Sequence, residues 1–150
     1  MRLDFIKGRE KFDRLMITRA DGTVEQIDCP KQRIIPHDMV HFAVEETLLA
    51  DAGFLGRVAA GEAAAFRMDQ ADETDAVERL VETIQADAWS GGTSTEAEII
   101  QLYGVTCDAR GCAPIELSIE TVTRIRERVL ELTEAWDALT DGGILTLKLA

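Results

Sequence analysis

The sequence lacks the features that mark membrane proteins and exported, disulfide-bonded proteins. None of its apolar runs approaches the roughly 18 residues that are needed to cross a bilayer. The first residues show no apolar signal region followed by a small-residue cleavage site. Cysteines number only 3, an odd count that argues against a disulfide framework. These absences predict a cytoplasmic (cytosolic) protein of bacterial type that has no membrane partner.

Positive charge is also scarce, because 16 Lys and Arg residues are set against 28 Asp and Glu residues. The net charge of −12 repels the phosphate backbone that nucleic-acid-binding proteins neutralise with lysine and arginine. We therefore expect no nucleic-acid partner, and expect any macromolecular partner to be a protein. Aromatic residues make up only 5% of the chain, so the core must consist mainly of Leu, Ile, Val and Ala.

The hydrophobic pattern predicts strands at both ends of the chain and helices between them. Strands are expected over residues 2–7, 12–19, 24–29 and 144–149, with a hairpin turn at Asp21-Gly22. Helices are expected over about 36–50, 54–62, 74–88, 95–104 and 118–139, with a connection over 63–72. The order indicates a single α+β domain over residues 1–150. In it, an antiparallel or mixed sheet of the three N-terminal strands and the C-terminal strand packs against four to five helices.

The helix predicted at 36–50 carries both histidines of the chain, His37 and His41. Side chains four residues apart on a helix project in the same direction, so this pair can share one metal ion. Glu45 lies one turn further on, and Asp38 lies beside the same polar arc. We therefore predict His37, His41 and Glu45 as ligands of a divalent metal such as zinc. His37 and Glu45 are about 12 Å apart along the helix axis, so one ion would use two of the three and borrow further ligands.

Two other interpretations of this polar arc stay open. It can be the solvent face of an otherwise buried helix, in which His37 and His41 only hydrogen bond to nearby groups, or it can serve proton-transfer catalysis. The helix lacks the His-Glu-x-x-His arrangement of zinc proteases. The chain also contains no Gly-x-Ser-x-Gly element and no Gly-rich phosphate-binding loop. No specific reaction follows from the sequence.

Cys107 and Cys112 lie in a segment, 105–114, that is predicted to be a loop. Their spacing is compatible with zinc binding, and they would supply the missing ligands if the loop folds towards the histidines. Arg110 lies between them and would lower a thiol pKa, so a redox pair is an alternative. The simplest interpretation is two loop thiols without a special role.

The helix predicted at 118–139 has an apolar stripe with a spacing of three and four residues. Its members are Val122, Ile125, Val129, Leu132, Trp136 and Leu139. Such a stripe either faces the core of the domain or forms a seam with a second copy of the chain. We favour the core, because fewer than three full heptads are present. A homodimer through this helix is the alternative.

Four segments together resemble a group of small uncharacterised bacterial proteins with a Pro-His-Asp-x-x-His-Phe helix. They are Ala20-Asp21-Gly22, Ile35-Pro36-His37-Asp38-x-x-His41-Phe42-x-x-Glu45, Gly53-Phe54-Leu55-Gly56-x-Val58-Ala59-Ala60-Gly61 and Trp136-x-x-Leu139-x-x-Gly142-Gly143-x-Leu145-x-Leu147. The resemblance implies a single domain with a C-terminal strand. It assigns no catalytic role to any residue.

These observations favour a cytosolic ligand-binding or protein-interaction module for which no reaction can be assigned. The main alternative is a metal-dependent, hydrolase-like enzyme that uses the His37 and His41 pair. A purely structural role is the third expectation.

Overall fold

A computed structural model of the chain describes residues 1–49, 53–64 and 76–150. In chain order its elements are β1 (Arg2–Ile6), β2 (Phe12–Thr18), β3 (Val24–Pro30), α1 (His37–Leu48), α2 (Phe54–Ala59), α3 (Ala76–Trp89), α4 (Glu96–Arg110), α5 (Ile119–Asp137) and β4 (Ile144–Lys148). The predicted α+β fold is confirmed. Most of the connection predicted over 63–72, and the first residues of the helix predicted at 74–88, lie outside the described residues.

The four strands form one antiparallel sheet in the order β3-β2-β1-β4. Each strand alternates between a buried and a more exposed face, as expected when only one side of a sheet is covered. The predicted hairpin joins β2 to β3, where Gly22 adopts a φ of 86° and the Asp21 carboxylate accepts a hydrogen bond from the Thr23 N–H. Strand β1 lies inside the sheet, between β2 and β4.

The helices cover the buried face of the sheet and share one hydrophobic core with it. Helix α1 contacts α2, α3 and α5, and is therefore the central helix of this layer. The predicted stripe of α5 points into the core, because Val122, Ile125, Val129, Leu132 and Trp136 are all buried. The stripe is thus covered by the chain's own residues. A homodimer through this helix stays a prediction, and it would have to use the outer face, where Ile119 and Leu130 are exposed.

Helix α4 is longer than the sequence predicts. Thr95 and Glu98 form a capping box at its start, but the helix continues through Gly104 and ends only at Arg110. The prediction of a loop over 105–114 was therefore wrong in its first half, and Cys107 is a buried helical residue. A glycine inside a helix costs only about 1 kcal/mol, which the flanking contacts of Tyr103 and Cys107 offset. The helix ends where Gly111 turns left-handed, with a φ of 72°.

Gly104 inside α4 and Gly111 just after its last residue should therefore respond differently to substitution by alanine. The two changes in the free energy of unfolding should have opposite signs. Nothing lies within 4 Å of a Cβ built on Gly104, so Gly104→Ala should raise the free energy of unfolding by about 1 kcal/mol through helix propensity alone. Gly111→Ala should lower it by about 1–2 kcal/mol, because alanine is strained at a positive φ. Urea denaturation of the two variants measures both changes. Equal effects of the two substitutions would contradict a helix that runs from Glu96 to Arg110.

Candidate metal centre

The polar side of α1 faces protein rather than solvent. His41 is 2% exposed and Glu45 is 1% exposed, and Asp38 is also buried. The solvent-face part of that alternative is therefore wrong for these three residues, whereas the hydrogen bonds that it predicts for the two histidines are present. Polar groups that are buried this deeply need hydrogen-bond partners, and α3 and α2 supply them.

Glu78 of α3 brings the two histidines together. One oxygen of its carboxylate lies 3.1 Å from His37 Nε2, and the other lies 2.7 Å from His41 Nε2. The imidazole rings meet edge to face, with their centroids 4.9 Å apart. One ligand atom from each of His37, His41 and Glu78 lies within 4.8 Å of the other two. These residues are the only group of this kind among the described parts of the chain.

The Nδ1 atom of each imidazole ring also has a hydrogen-bond partner. His37 Nδ1 lies 2.8 Å from the Gln85 side-chain oxygen, which accepts a second hydrogen bond from Gln32 Nε2. His41 Nδ1 lies 3.0 Å from a carboxylate oxygen of Glu45. Both Nδ1 atoms therefore carry a proton and donate, which leaves both Nε2 atoms directed at Glu78. Metal-binding histidines are oriented by the same kind of outer hydrogen bond.

Glu45 takes a different position from the one that the sequence predicts. Its carboxylate accepts hydrogen bonds from the backbone N–H groups of Leu55 and Gly56, at 3.1 and 3.0 Å, as well as from His41. It therefore joins α1 to the start of α2 and orients His41. The carboxylate that meets both histidines is that of Glu78, one helix away.

The remaining predicted residues lie apart from this group. Neither Cys107 nor Cys112 contributes a ligand atom to it. Asp38 is buried on the same side of α1, but its carboxylate accepts a hydrogen bond from the Cys29 thiol at 3.6 Å. Burial raises the pKa of Asp38, against the opposing effect of the nearby histidines.

The histidines hold their protons strongly in the absence of a metal. Burial lowers the pKa of His41, but hydrogen bonds to Glu45 and Glu78 outweigh this effect and raise the pKa to about 10. Burial opposes protonation of His37 as well, and its hydrogen bond to Glu78 still raises its pKa. Burial disfavours the charged form of Glu78, yet the two histidines hold the pKa of that carboxyl well below its usual range.

The charge balance of the cluster suits exchange of protons for a metal ion. If both imidazoles are protonated, their two positive charges face the two carboxylates that they contact, those of Glu45 and Glu78. A divalent ion with two neutral imidazoles leaves the same net charge, so it can replace two protons without leaving a buried charge unpaired. The ligand atoms of a tetrahedral zinc site lie about 3.3 Å apart, given bonds of about 2.0 Å. A shift of about 1 Å in the side chains would therefore close the group around an ion.

The sequence prediction missed Glu78 and Gln85. Of the two, Glu78 was assigned to the outer side of an amphipathic helix, away from Val77, Leu80, Val81 and Ile84, and Gln85 was given no role. They are seven residues apart and so share one face of α3, next to its apolar stripe. This pair of polar residues at the edge of the apolar stripe was the feature of the sequence that could have identified Glu78 and Gln85 as site residues. Only the packing of α3 against α1 shows which histidines they meet.

Comparison with known proteins gives no relative from which a role could be transferred: no family model, no curated protein and no solved structure matches this chain. The resemblance to small bacterial proteins stays an expectation. Among the described helices, none is both long and apolar enough to cross a membrane.

In chelator-treated protein, the free energy of unfolding should fall as the pH rises from 7 to 8.5. The pKa of His41 is about 10 in the folded chain. It is about 6.5 in an unfolded chain, so only the folded state holds this proton over that range. One such proton lowers the free energy of unfolding by about 1.4 kcal/mol per pH unit, or about 2 kcal/mol in total. Urea denaturation at the two pH values measures the loss.

The matched control is His41→Gln, which removes the titrating group and leaves all three cysteines in place. Its free energy of unfolding should change less than that of the wild-type chain over the same range. If the free energy of unfolding of the wild-type chain does not change between pH 7 and 8.5, His41 is not held in its charged form.

Gly53→Ala should destabilise the fold and loosen the site together. A Cβ at Gly53 would lie 2.2 Å from Glu45 Oε1. The Glu45 carboxylate cannot retreat without losing its bonds to α2 and His41, so the expected loss is about 2–3 kcal/mol in the free energy of unfolding. Chemical denaturation of Gly53→Ala is compared with that of Gly104→Ala, where the added Cβ has no atom within 4 Å. The comparison separates the contact with Glu45 from an effect of helix propensity. Wild-type stability in Gly53→Ala would rule out the close approach.

Proposed function

We propose that this protein binds one divalent transition-metal ion, zinc being the first choice, through His37 Nε2, His41 Nε2 and the Glu78 carboxylate. The observation that carries the proposal is the double constraint on the two imidazoles. Gln85 and Glu45 hold their Nδ1 atoms, and both Nε2 atoms converge on a single carboxylate. The sequence-based hypothesis of a metal shared by the histidine pair is kept, with Glu78 added and Glu45 as the orienting group.

The ligand types narrow the choice of metal. Two imidazoles and one carboxylate suit zinc, and also iron(II) in sites that keep open positions. Calcium and magnesium prefer all-oxygen ligand sets, so they are excluded as the resident ion. Structural zinc sites normally use four protein ligands, whereas three protein ligands leave a position for water or another small ligand. A set of two histidines and one glutamate therefore favours a site at which the metal ion binds a further small ligand.

Access to the site comes from the side of His37. Its side chain is 38% exposed and that of Glu78 is 18% exposed, whereas His41 is almost fully enclosed. A small molecule with an oxygen donor can therefore reach the ion past His37. We infer a metal-dependent ligand-binding module, in agreement with the first expectation from the sequence.

A hydrolase-like activity is the second candidate, and the open coordination position favours it. Zinc held by three protein ligands lowers the pKa of its bound water to about 7, which supplies a hydroxide nucleophile near neutral pH. Its test is a panel of activated esters and phosphate esters. Turnover should need the ion and should be lost in Glu78→Gln.

Location and assembly remain predictions from the sequence. A cytosolic protein would meet zinc at low free concentration, so the site would need high affinity there. A protein partner or a second copy would contact exposed surface such as the outer face of α5, which is separate from the proposed metal ligands.

The deciding experiment is titration of the chelator-treated 150-residue chain with zinc chloride and with cobalt chloride at pH 7.5. We expect one ion per chain by calorimetry, with a visible cobalt spectrum of tetrahedral or five-coordinate type. Zinc at a hundred times its Kd should raise the free energy of unfolding by about 2.7 kcal/mol. Because the ion displaces protons, the apparent Kd should fall at least about tenfold for each rise of one pH unit between pH 6 and 8.

Three variants measure how strongly the affinity for zinc depends on individual side chains. Glu78→Gln removes a ligand charge and should weaken binding more than about 100-fold. Gln85→Ala removes only the orienting bond to His37 and should weaken binding by about 10–100-fold. Glu116→Gln makes the same charge change as Glu78→Gln on an exposed loop residue and should leave the Kd unchanged. A wild-type chain that binds neither ion, or a Glu78→Gln variant that binds zinc as tightly as wild type, would overturn the proposal.

A further inference from the structure

A second chemical group lies at the end of α4, where two cysteines occupy paired positions of a helix-terminating motif. The Gly111 N–H donates to the Asp108 carbonyl at 3.2 Å, and the Cys112 N–H donates to the Cys107 carbonyl at 3.0 Å. These two bonds, together with a left-handed glycine, define a Schellman motif. A contact between the side chains at these two positions often accompanies this motif.

The Cys112 side chain packs against the hydrophobic core to which Cys107 belongs. Burial raises the pKa of the Cys107 thiol to about 11, and its direct interaction with the Cys112 thiol contributes to that rise. Cys107 is fully buried, whereas Cys112 is half-buried and lies between the exposed Gly111 and Ala113. An outside reagent can therefore reach Cys112 but not Cys107.

The segment that carries Cys112 is fixed against the helix. The Tyr103 hydroxyl accepts a hydrogen bond from the Ile115 N–H at 2.9 Å, and donates to the Ala76 carbonyl at 2.9 Å. Tyr103 lies one turn before Cys107 on the same helix. The chain on either side of Cys112 is thus tied down, by the Schellman bonds on one side and by Tyr103 on the other. The backbone around Cys112 is therefore fixed beside the end of α4.

A buried cation lies near the inner thiol. Arg79 is only 3% exposed, and within the described part of the chain its Nε has no hydrogen-bond partner. Its charge favours the thiolate form of Cys107. Arg79 also pairs with Glu82 through Nη2 at 3.0 Å, so its charge offsets only part of the effect of burial on the Cys107 thiol.

We propose that Cys107 and Cys112 form a reversible dithiol–disulfide pair, in which Cys112 reacts with a low-molecular-weight disulfide and Cys107 resolves the product. In the first step the Cys112 thiolate attacks one sulfur of the small disulfide. A mixed disulfide forms, and one small thiolate leaves. In the second step the Cys107 thiolate attacks the Cys112 sulfur, the intramolecular bond forms, and the second small thiolate leaves. Two protein thiols are oxidised, and one small disulfide is reduced to two thiols.

This pair is independent of the proposed metal centre, since neither cysteine belongs to the His37, His41 and Glu78 group. The sequence raised a redox pair only as an alternative, on the basis of spacing. The Schellman bonds, the Tyr103 contacts and the different exposure of the two thiols are what the structure adds. They also assign the order of attack.

The experiment equilibrates the 150-residue chain in buffers of reduced and oxidised glutathione, unfolds it in denaturant with an alkylating reagent that blocks all free thiols, and maps the products by mass spectrometry. Trypsin cleaves after Arg110, between the two cysteines, so the peptides 80–110 and 111–124 separate unless a disulfide links them. We expect the linked pair to appear as the oxidised fraction rises, to disappear on reduction, and to form without accumulation of a glutathione adduct.

Two variants test the order of attack. Cys107→Ala should stop at the mixed disulfide, with one glutathione attached to residue 112, because the resolving thiol is missing. Cys29→Ala removes the third, buried cysteine and should form the 107–112 link as the wild-type chain does. A wild-type chain that keeps both thiols alkylatable in excess oxidised glutathione would overturn the proposal. So would one that accumulates the mixed disulfide, or one that links Cys29 instead.

Discussion

The buried imidazole of His41 is the interaction on which the helical layer depends. It lies on α1, it is almost fully enclosed, and its two nitrogens meet the carboxylates of Glu45 and Glu78. Glu45 in turn accepts two backbone hydrogen bonds from the start of α2, and Glu78 belongs to α3. One ring thus joins three helices. Removal of one partner from such a buried ionic group costs about 3–5 kcal/mol, because the remaining charge has no water to replace it. The packing and the chemistry of this region therefore cannot be separated.

Local sequence patterns predict much of this fold because its strands and helices follow simple periodicity. The hairpin at Asp21 and Gly22, the capping box at Thr95, and the buried stripe of α5 are all set by residues close together in the chain. The end of α4 was misjudged because a glycine is tolerated inside a helix whose neighbouring turns are buried. Propensity is a weak prior in that situation, and tertiary contacts decide.

The candidate site was predicted only in part, for a different physical reason. The pairing of His37 and His41 is a property of one helix and can be seen in the sequence. Glu78 is 41 positions away from His37, and its selection depends on how α3 packs against α1. Helical spacing alone favoured Glu45, which shares the face of His41. In the structure Glu45, one turn along the same helix, contacts His41 alone of the two histidines, whereas Glu78 contacts both.

Strand β1 is central in the sheet, yet its two neighbours are made at very different times during synthesis. It can pair with β2 almost at once, whereas the side chains of Asp4 and Thr146, which hydrogen bond across β1 and β4, are 142 positions apart. Until β4 has been made, one edge of β1 presents unpaired N–H and C=O groups next to the apolar side chains of Leu3 and Phe5. Such an open edge can pair with another chain. That edge of β1 stays open to pairing with another chain until the sheet is complete, and a factor that shields β1 during translation would act on that interval.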